Sequence, residues 1–391
     1  MYGGSSVMKE KTINLPELWM TKKLGDLCDI ARGGSPRPIQ QYLTNSPDGI
    51  NWIKISDASA SSKYIYETKE KIKPEGVTKS RLVQKDDFLL SNSMSFGRPY
   101  IMKTSGCIHD GWLVLKDKSG LFDQDYLYYF LNSQAAYKQF DNLAAGSTVR
   151  NLNTQLVKNV IIPIPPIEEQ KRIVEILDKA FEGIAQAEAN TRRNLINARE
   201  LFDSYLDKIL TDCRWETKQI SECFRVKSGN FLPKNKMNNF GEFKVYGGNG
   251  VAGQHDQFNL EGKNILIGRV GAKCGNIKTI NAKIWLTDNA LYISEFLVDF
   301  DLDFLSFVLE RADLGKTANQ TAQPVISYTT IKSVFISYPK ATEQQKTIVK
   351  KVYKIKDCLQ DLEKIYQRKL EAIAELKQSI LEKAFTGQLS Q

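Results

Sequence analysis

Two stretches of the chain alternate apolar and polar positions in one helical rhythm, and they lie 175 residues apart. In residues 168–209, apolar or small side chains fall at Ile173, Leu177, Ala180, Ile184, Ala187, Thr191, Leu195, Ala198, Leu201, Tyr205 and Ile209. Residues 343–384 place them at Ile348, Val352, Ile355, Leu359, Leu362, Tyr366, Leu370, Ile373, Leu376, Ile380 and Ala384. Steps of four and three mostly alternate, which marks the seam of a coiled coil. At ~1.5 Å per residue each helix is ~63 Å long. A narrow apolar stripe is not stable alone in water, so each helix needs a partner. Connectivity makes the other helix the simplest one. The first helix leaves one globular segment and ends at the next, and the second can then only run back along it. An antiparallel pair is expected, with pairing to another subunit as the competing arrangement. Apolar neighbours beside the seam (Ile176 with Leu177, Leu201 with Phe202, Tyr205 with Leu206, Ile365 with Tyr366) widen the stripe and leave room for a further protein.

The repeat is also literal. Glu168-Glu169-Gln170-Lys171-Arg172-Ile173-Val174 returns as Glu343-Gln344-Gln345-Lys346-Thr347-Ile348-Val349. The pattern divides the chain into a globular segment 1–166, a helix 167–211, a second globular segment 212–341 and a helix 342–391. Both segments open alike, Trp19 leading into Leu24-Gly25-Asp26 and Gly33-Gly34, and Trp215 into Ile220-Ser221-Glu222 and Gly229. Each opening reads as a short strand, a helical turn and a glycine-marked turn. Short strands follow at Trp52–Ile55 and Asp87–Leu90, and at Phe243–Tyr246 and Asn264–Ile267. Helices are expected at Tyr126–Phe140 and Leu302–Arg311, and closing strands at Val157–Ile164 and Ile331–Tyr338. Mixed short strands with one or two helices make each head α+β.

Between the matched elements the loops differ. The first head carries Gly33-Gly34-Ser35-Pro36-Arg37-Pro38 and Ser91 to Arg98, while the second carries Tyr246 to Gly250 and Gly268 to Lys273. Similar heads with different loops suggest two different targets. The net charge of +9 bears on what those targets are. The helices hold seven basic and nine acidic residues in one, ten and seven in the other, so +8 lies outside them. Basic heads fit a polyanion, nucleic acid first. Arginine pairs with guanine and asparagine or glutamine with adenine, while serine, lysine and glycine-rich backbone hold phosphates. On loop position and side-chain type, the candidate DNA contacts are Arg32, Ser35, Arg37, Lys54, Ser93 and Arg98 in the first head. In the second they are Asn249, Gln254, Arg269, Lys273 and Asn289.

Other chemistries find little support. The six cysteines are scattered without a C-x-x-C pair, so no zinc site or disulfide framework is suggested, and a reduced cytoplasmic protein is expected. No stretch suits a membrane span or a signal peptide. His109 and His255 read as structural or solvent-facing. Gly315-Lys316-Thr317 resembles the end of a phosphate-binding loop, but Glu310 stands where its glycine should be. No catalytic residue, metal site or cofactor of this chain is expected.

These residues resemble the specificity subunit of type I restriction-modification systems. The resemblance rests on Gly146-Ser147-Thr148 with Leu152, Pro165-Pro166 before Glu168-Glu169-Gln170-Lys171-Arg172, the second copy of that run, Gly33-Gly34-Ser35-Pro36, and Ala384-Phe385-Thr386-Gly387-Gln388-Leu389. It covers nearly everything after residue 15. The second copy departs from it with Gln323-Pro324-Val325 in place of Gly-Ser-Thr. The resemblance implies two target recognition domains, each reading half of a split site in double-stranded DNA. The helices would set the gap between the halves. Two methyltransferase subunits would dock along them and methylate adenine from S-adenosylmethionine, and two motor-nuclease subunits would join to cut. A ~60 Å spacer is nearly two turns of duplex at ~34–36 Å per turn. Two other classes stay open, a coiled-coil adaptor between two protein partners and a self-contained DNA methyltransferase.

Overall fold

A computed structural model describes residues 15–58, 63–92, 96–144, 151–238, 240–271, 273–319 and 324–389. The chain divides into two units, residues 1–191 with 368–391, and residues 192–367. The two long helices span Ile167–Ile209 and Thr342–Phe385. No helix among the described residues is long and apolar enough to cross a membrane.

In the first unit two five-stranded sheets face each other. One orders its strands Leu43–Thr44, Glu70–Ile72, Ile50–Ile53, Gly106–Ile108 and Arg81–Val83. The other runs Cys28–Arg32, Trp112–Asp117, Phe88–Ser91, Pro99–Met102 and Tyr64–Ile65. Ile53, Val83, Leu89, Tyr100, Ile108, Trp112 and Val114 are buried together between them. The opposite face of the second sheet packs on helices. Leu90, Ile101, Leu113 and Leu115 join Tyr126 and Phe130 of the head and Ile173, Leu177, Leu381, Ala384 and Phe385 of the long helices. Phe385 meets Tyr126 and Phe130 edge-on at 5.3 Å each, a geometry worth ~0.5–1.5 kcal/mol per pair beyond burial.

The second unit repeats this with fewer strands. Phe224–Ser228, Ala290–Phe296, Lys263–Gly268 and Ile277–Asn281 form one sheet, and Gly250–His255, Phe243–Gly247 and Ile284–Leu286 the other. Ile265, Ile267, Leu291 and Ile293 pack on Phe304 and Val308 of the helix Leu302–Ala312 and on Ile348, Val349 and Val352. Leu206, Ile209 and Leu210, at the end of the first long helix, join the same core. They stand 175 residues before Leu381, Ala384 and Phe385. Each head therefore holds the start of one long helix and the end of the other, so the helices run antiparallel.

A buried glutamine fastens each head to its helix. Gln170, fully buried, accepts from the Asp123 amide at 2.7 Å and donates to the carbonyls of Leu121 and Pro165. Gln345, also fully buried, accepts from the Asp301 amide at 2.8 Å and donates to the Pro339 carbonyl. Asp123 and Asp301 each cap the head helix with the side chain while the backbone N–H goes to the glutamine.

Four sequence expectations change, the first being the strand expected at Trp52–Ile55, which runs Ile50–Ile53 and is followed by a helical turn from Ile55. The helix expected at 126–140 is two helices, Gln124–Leu131 and Gln134–Ala144. Ser133 lies between them, its hydroxyl donating to the Phe130 carbonyl and accepting from the Ala136 amide, which ends one helix and starts the next. The closing strands at 157–164 and 331–338 are shorter, Ile161–Ile164 and Phe335–Tyr338. Each follows a helical turn, Thr154–Lys158 and Tyr328–Ile331, begun by the caps Asn153 and Ser327. In the seam, Leu201, Leu362 and Leu376 are exposed. A strict seven-residue repeat drifts ~20° per heptad around an unsupercoiled helix, and half-buried Phe202 and Glu363 stand beside these positions instead.

Candidate nucleic-acid interface

The loops that differ between the heads meet at one turn that does not. In the first head the turn is His109-Asp110-Gly111, leading into the strand Trp112–Asp117. In the second it is Thr287-Asp288-Asn289, leading into Ala290–Phe296. The backbone around both is wired alike. Gly33 donates to the Trp112 carbonyl and Gly34 to the Ile108 carbonyl, while Gly229 donates to that of Ala290 and Asn230 to that of Leu286. A Cβ on Gly33 would lie 2.2 Å from the His109 oxygen and one on Gly229 2.2 Å from the Leu286 oxygen, so glycine is required at both.

Three candidates of the first head converge on Asp110. The Arg32 Nε donates to its main-chain oxygen at 2.9 Å. The Ser35 hydroxyl donates to its carboxylate at 2.6 Å, and Arg37 Nη2 lies 3.6 Å from the other carboxylate oxygen. Ser35, then burial working the other way, and nearby cationic groups leave the carboxyl below its ordinary range, so it stays ionised. Ser35, Arg37 and Lys54 line one cavity of about 580 Å³, with Trp52, Glu70 and His109. Lys54 Nζ lies 2.5 Å from Glu70 Oε1.

His109 is part of the scaffold of this cavity. Its Nδ1 accepts from the Gly111 amide at 2.7 Å, and the Ile55 amide approaches Nε2 at 3.2 Å. A neutral imidazole has one acceptor nitrogen, so the shorter contact is the hydrogen bond and the other a close approach. Burial holds the ring's pKa below its ordinary value, which keeps it neutral.

Arg98 sits apart, exposed at the end of a hairpin loop whose base is closed by its own amide on the Ser91 hydroxyl at 3.0 Å. Ser93, on that loop, lies outside the described residues. So does the Gly146-Ser147-Thr148 signature.

In the second head Asn249 and Asn289 are exposed and line one cleft of about 990 Å³, walled by Gly247, Gly248, Gly253, Val270, Gly271, Asp288 and the exposed ring of Phe231. Arg269 Nη1 donates to the Asp288 main-chain oxygen at 3.0 Å, and its amide to the Asn289 oxygen. Its counterpart in the first head is Asn92, whose side chain donates to the Asp110 oxygen at 2.8 Å and whose amide donates to the Gly111 oxygen. Arg98 and Arg269 thus stand at opposite ends of equivalent loops. Lys273 is exposed on the loop of Arg269. Gln254 lies in a strand, its backbone paired with Asn238 in both directions.

The sequence reading missed Asp110, Asp288 and Glu70. A signal existed for the aspartates, since Asp110-Gly111-Trp112-Leu113 and Asp288-Asn289-Ala290-Leu291 stand 178 residues apart before matching strands. Glu70 carried none, because its role depends on a strand pairing.

The family described as type I restriction modification DNA specificity domain matches residues 16–198 and 213–372. The chain is 22% identical over 339 residues to the type I restriction enzyme EcoprrI specificity subunit of Escherichia coli, covering 82% of this chain and 84% of that protein. A chain solved in work on complex assembly and conformational transition of the type I R-M system superposes with a TM-score of 0.78 at 17% identity, over 95% of this chain and 98% of its own. The HsdS subunit from Thermoanaerobacter tengcongensis superposes with a TM-score of 0.62 at 17% identity, over 97% and 100%. Both superpositions establish the shared fold.

Proposed function

We infer the role of this chain from its family: it belongs to the type I restriction modification DNA specificity family, and it is the non-catalytic DNA-recognition subunit of such a system. It binds DNA and assembles with other restriction-modification subunits. Residues 1–166 and 212–341 serve as the two target recognition domains, and helices 167–211 and 342–391 as the spacer between them. Each domain reads one half of a split target in duplex DNA. Two methyltransferase subunits, which bind S-adenosylmethionine, dock along the helices and methylate adenine, and two motor-nuclease subunits complete the assembly in the cytoplasm. The chain itself needs no cofactor.

One observation carries the two-target reading. Both heads build the same aspartate turn beside a concavity, yet line that concavity with different side chains. In the first head Arg32, Ser35, Arg37, Lys54, Ser93 and Arg98 contact DNA, and in the second Asn249, Gln254, Arg269, Lys273 and Asn289. Arginine and lysine suit guanine edges and phosphates, and asparagine and glutamine suit adenine.

Single-molecule methylation sequencing of DNA from cells expressing this chain with its methyltransferase tests the reading. N6-methyladenine at a split motif of fixed gap, dependent on this chain, is the expected result. A methyltransferase that is expressed and soluble yet leaves no chain-dependent motif overturns it.

A further inference from the structure

Lys54 and Glu70 occupy the place where the heads differ most within their shared wiring. Strand Ile50–Ile53 pairs with Glu70–Ile72 so that Trp52 faces Glu70, and Phe243–Gly247 pairs with Gly250–His255 so that Val245 faces Gly253. Each first-named strand also runs parallel to the strand before the aspartate turn, Trp52 beside Cys107 and Val245 beside Trp285. Glu70 and Gly253 therefore share one structural position. Two residues on from Trp52 and Val245, Lys54 and Gly247 share another. The second head closes the same fold with glycine at both, so the fold does not need the ion pair.

Nor does stability account for it. The two side chains are 31% and 37% exposed, and a pair so open to water adds little. What the pair changes is the lining of the concavity, where the second head has glycines. It sets a three-donor ammonium beside an acceptor-only carboxylate, above the apolar wall of Ile39, Leu43 and Trp52. In the major groove a G·C pair presents that complement, with acceptors N7 and O6 on guanine and the N4 amino donor on cytosine.

We propose that Lys54 and Glu70 together read one G·C pair in the half-site of the first head, Lys54 on the guanine edge and Glu70 on the cytosine amino group. The assignment rests on the DNA-recognition role above. The second head, with Gly247 and Gly253, reads its half-site without such a pair.

The test is methylation sequencing with the assembled methyltransferase complex carrying the wild-type chain, Glu70→Gln or Lys54→Met. The wild type is expected to show an invariant G·C pair in one half-site. Glu70→Gln lowers discrimination at that position by about tenfold or more and admits A·T there, because glutamine pairs with adenine. The other half-site and the gap stay as they were. A general packing defect would lower methylation at all sites and would not select a new base. A Glu70→Gln motif identical to the wild type, or relaxation only at an A·T position, overturns the proposal. Should the glutamine variant not assemble, Lys54→Met decides, and a wild-type motif from it overturns the proposal equally. Absence of any chain-dependent motif with the wild type would instead sink the recognition role itself.

Discussion

The two heads share their wiring and differ in their cavities, and the contrast separates what builds a head from what it can read. The glycine approach, the aspartate turn and the buried glutamine occur in both. Arg37, Lys54 and Glu70 stand in the first concavity, while several glycines, Asn238, Asn249, Asn289 and an exposed phenylalanine line the second together with Lys234 and Asp288. Shared contacts are mostly backbone or fully buried, so substitution there should be costly in either head. Most unshared contacts, His109 excepted, are at least partly open to water, so substitution there should leave stability nearly unchanged and alter recognition.

The largest effect is expected at the glutamines. Gln170→Ala strands three backbone partners and Gln345→Ala two. Each buried polar group left unpaired costs ~1–3 kcal/mol, so both variants lose at least ~2–3 kcal/mol and Gln170→Ala the more. Chemical denaturation measures the loss, and hydrogen exchange shows whether it falls in the unit that carries the change. Equal loss of protection in both units would break the idea of two local joints.

Next come Gly33→Ala and Gly229→Ala. Each sets a methyl against a carbonyl oxygen that cannot move without its strand, at ~1–3 kcal/mol. Similar losses in thermal melts would show that the turn is the same device twice. A mild Gly229→Ala beside a severe Gly33→Ala would limit the device to the first head.

His109 gives an effect that the second head lacks, since Thr287 stands in its place. Burial lowers the folded-state pKa, so the unfolded chain binds the extra proton first. The stabilisation from the neutral ring is complete above pH ~6.5 and declines as pH falls below it. The slope for one proton is at most ~1.4 kcal/mol per pH unit. Melting at about pH 7.5 and pH 5.5 should show the first unit weakening. His109→Gln, which keeps an acceptor, should flatten that dependence, and an unchanged slope would refute the assignment.

The smallest stability change is expected at Asp110. Asp110→Ala frees Ser35 and Arg37 but leaves the main-chain oxygen that Arg32 and Asn92 use. Below ~1 kcal/mol in melting, it should still blur the half-site of the first head in methylation sequencing. Asp288→Ala should blur less, because Arg269 uses the main-chain oxygen there.

Long-range order was legible before the structure. The periodic stripes at 168–209 and 343–384 fall within one residue of the observed helices, because a long stripe averages over many residues, while the wider bounds 167–211 and 342–391 run past the helix ends at Ile209 and Phe385. The literal repeat likewise exposed the doubled plan. Short elements were less legible. Val157 and Ile331 look like strand residues, yet each sits in a helical turn started by a cap several residues earlier. Gln170 and Gln345 were visible as repeated letters, but their partners lie 47 and 44 residues away. Side-chain type and loop position found Ser35 and Arg37. The organiser, Asp110, lies 75 residues from Ser35 and meets it only after the sheet forms.

The glutamine joint has a consequence for ancestry and exchange. Because each glutamine joint is made with main-chain groups near the cap and at the proline before the helix, its hydrogen bonds do not depend on the side chains of the head, and only the apolar contacts beside it must match. A gene segment spliced between chains near these joints would deliver a foreign head to a familiar socket. New specificities could then arise by shuffling, with the number of pairings growing as the square of the number of heads. Mutation would be left to refine the cavities that shuffling brings together.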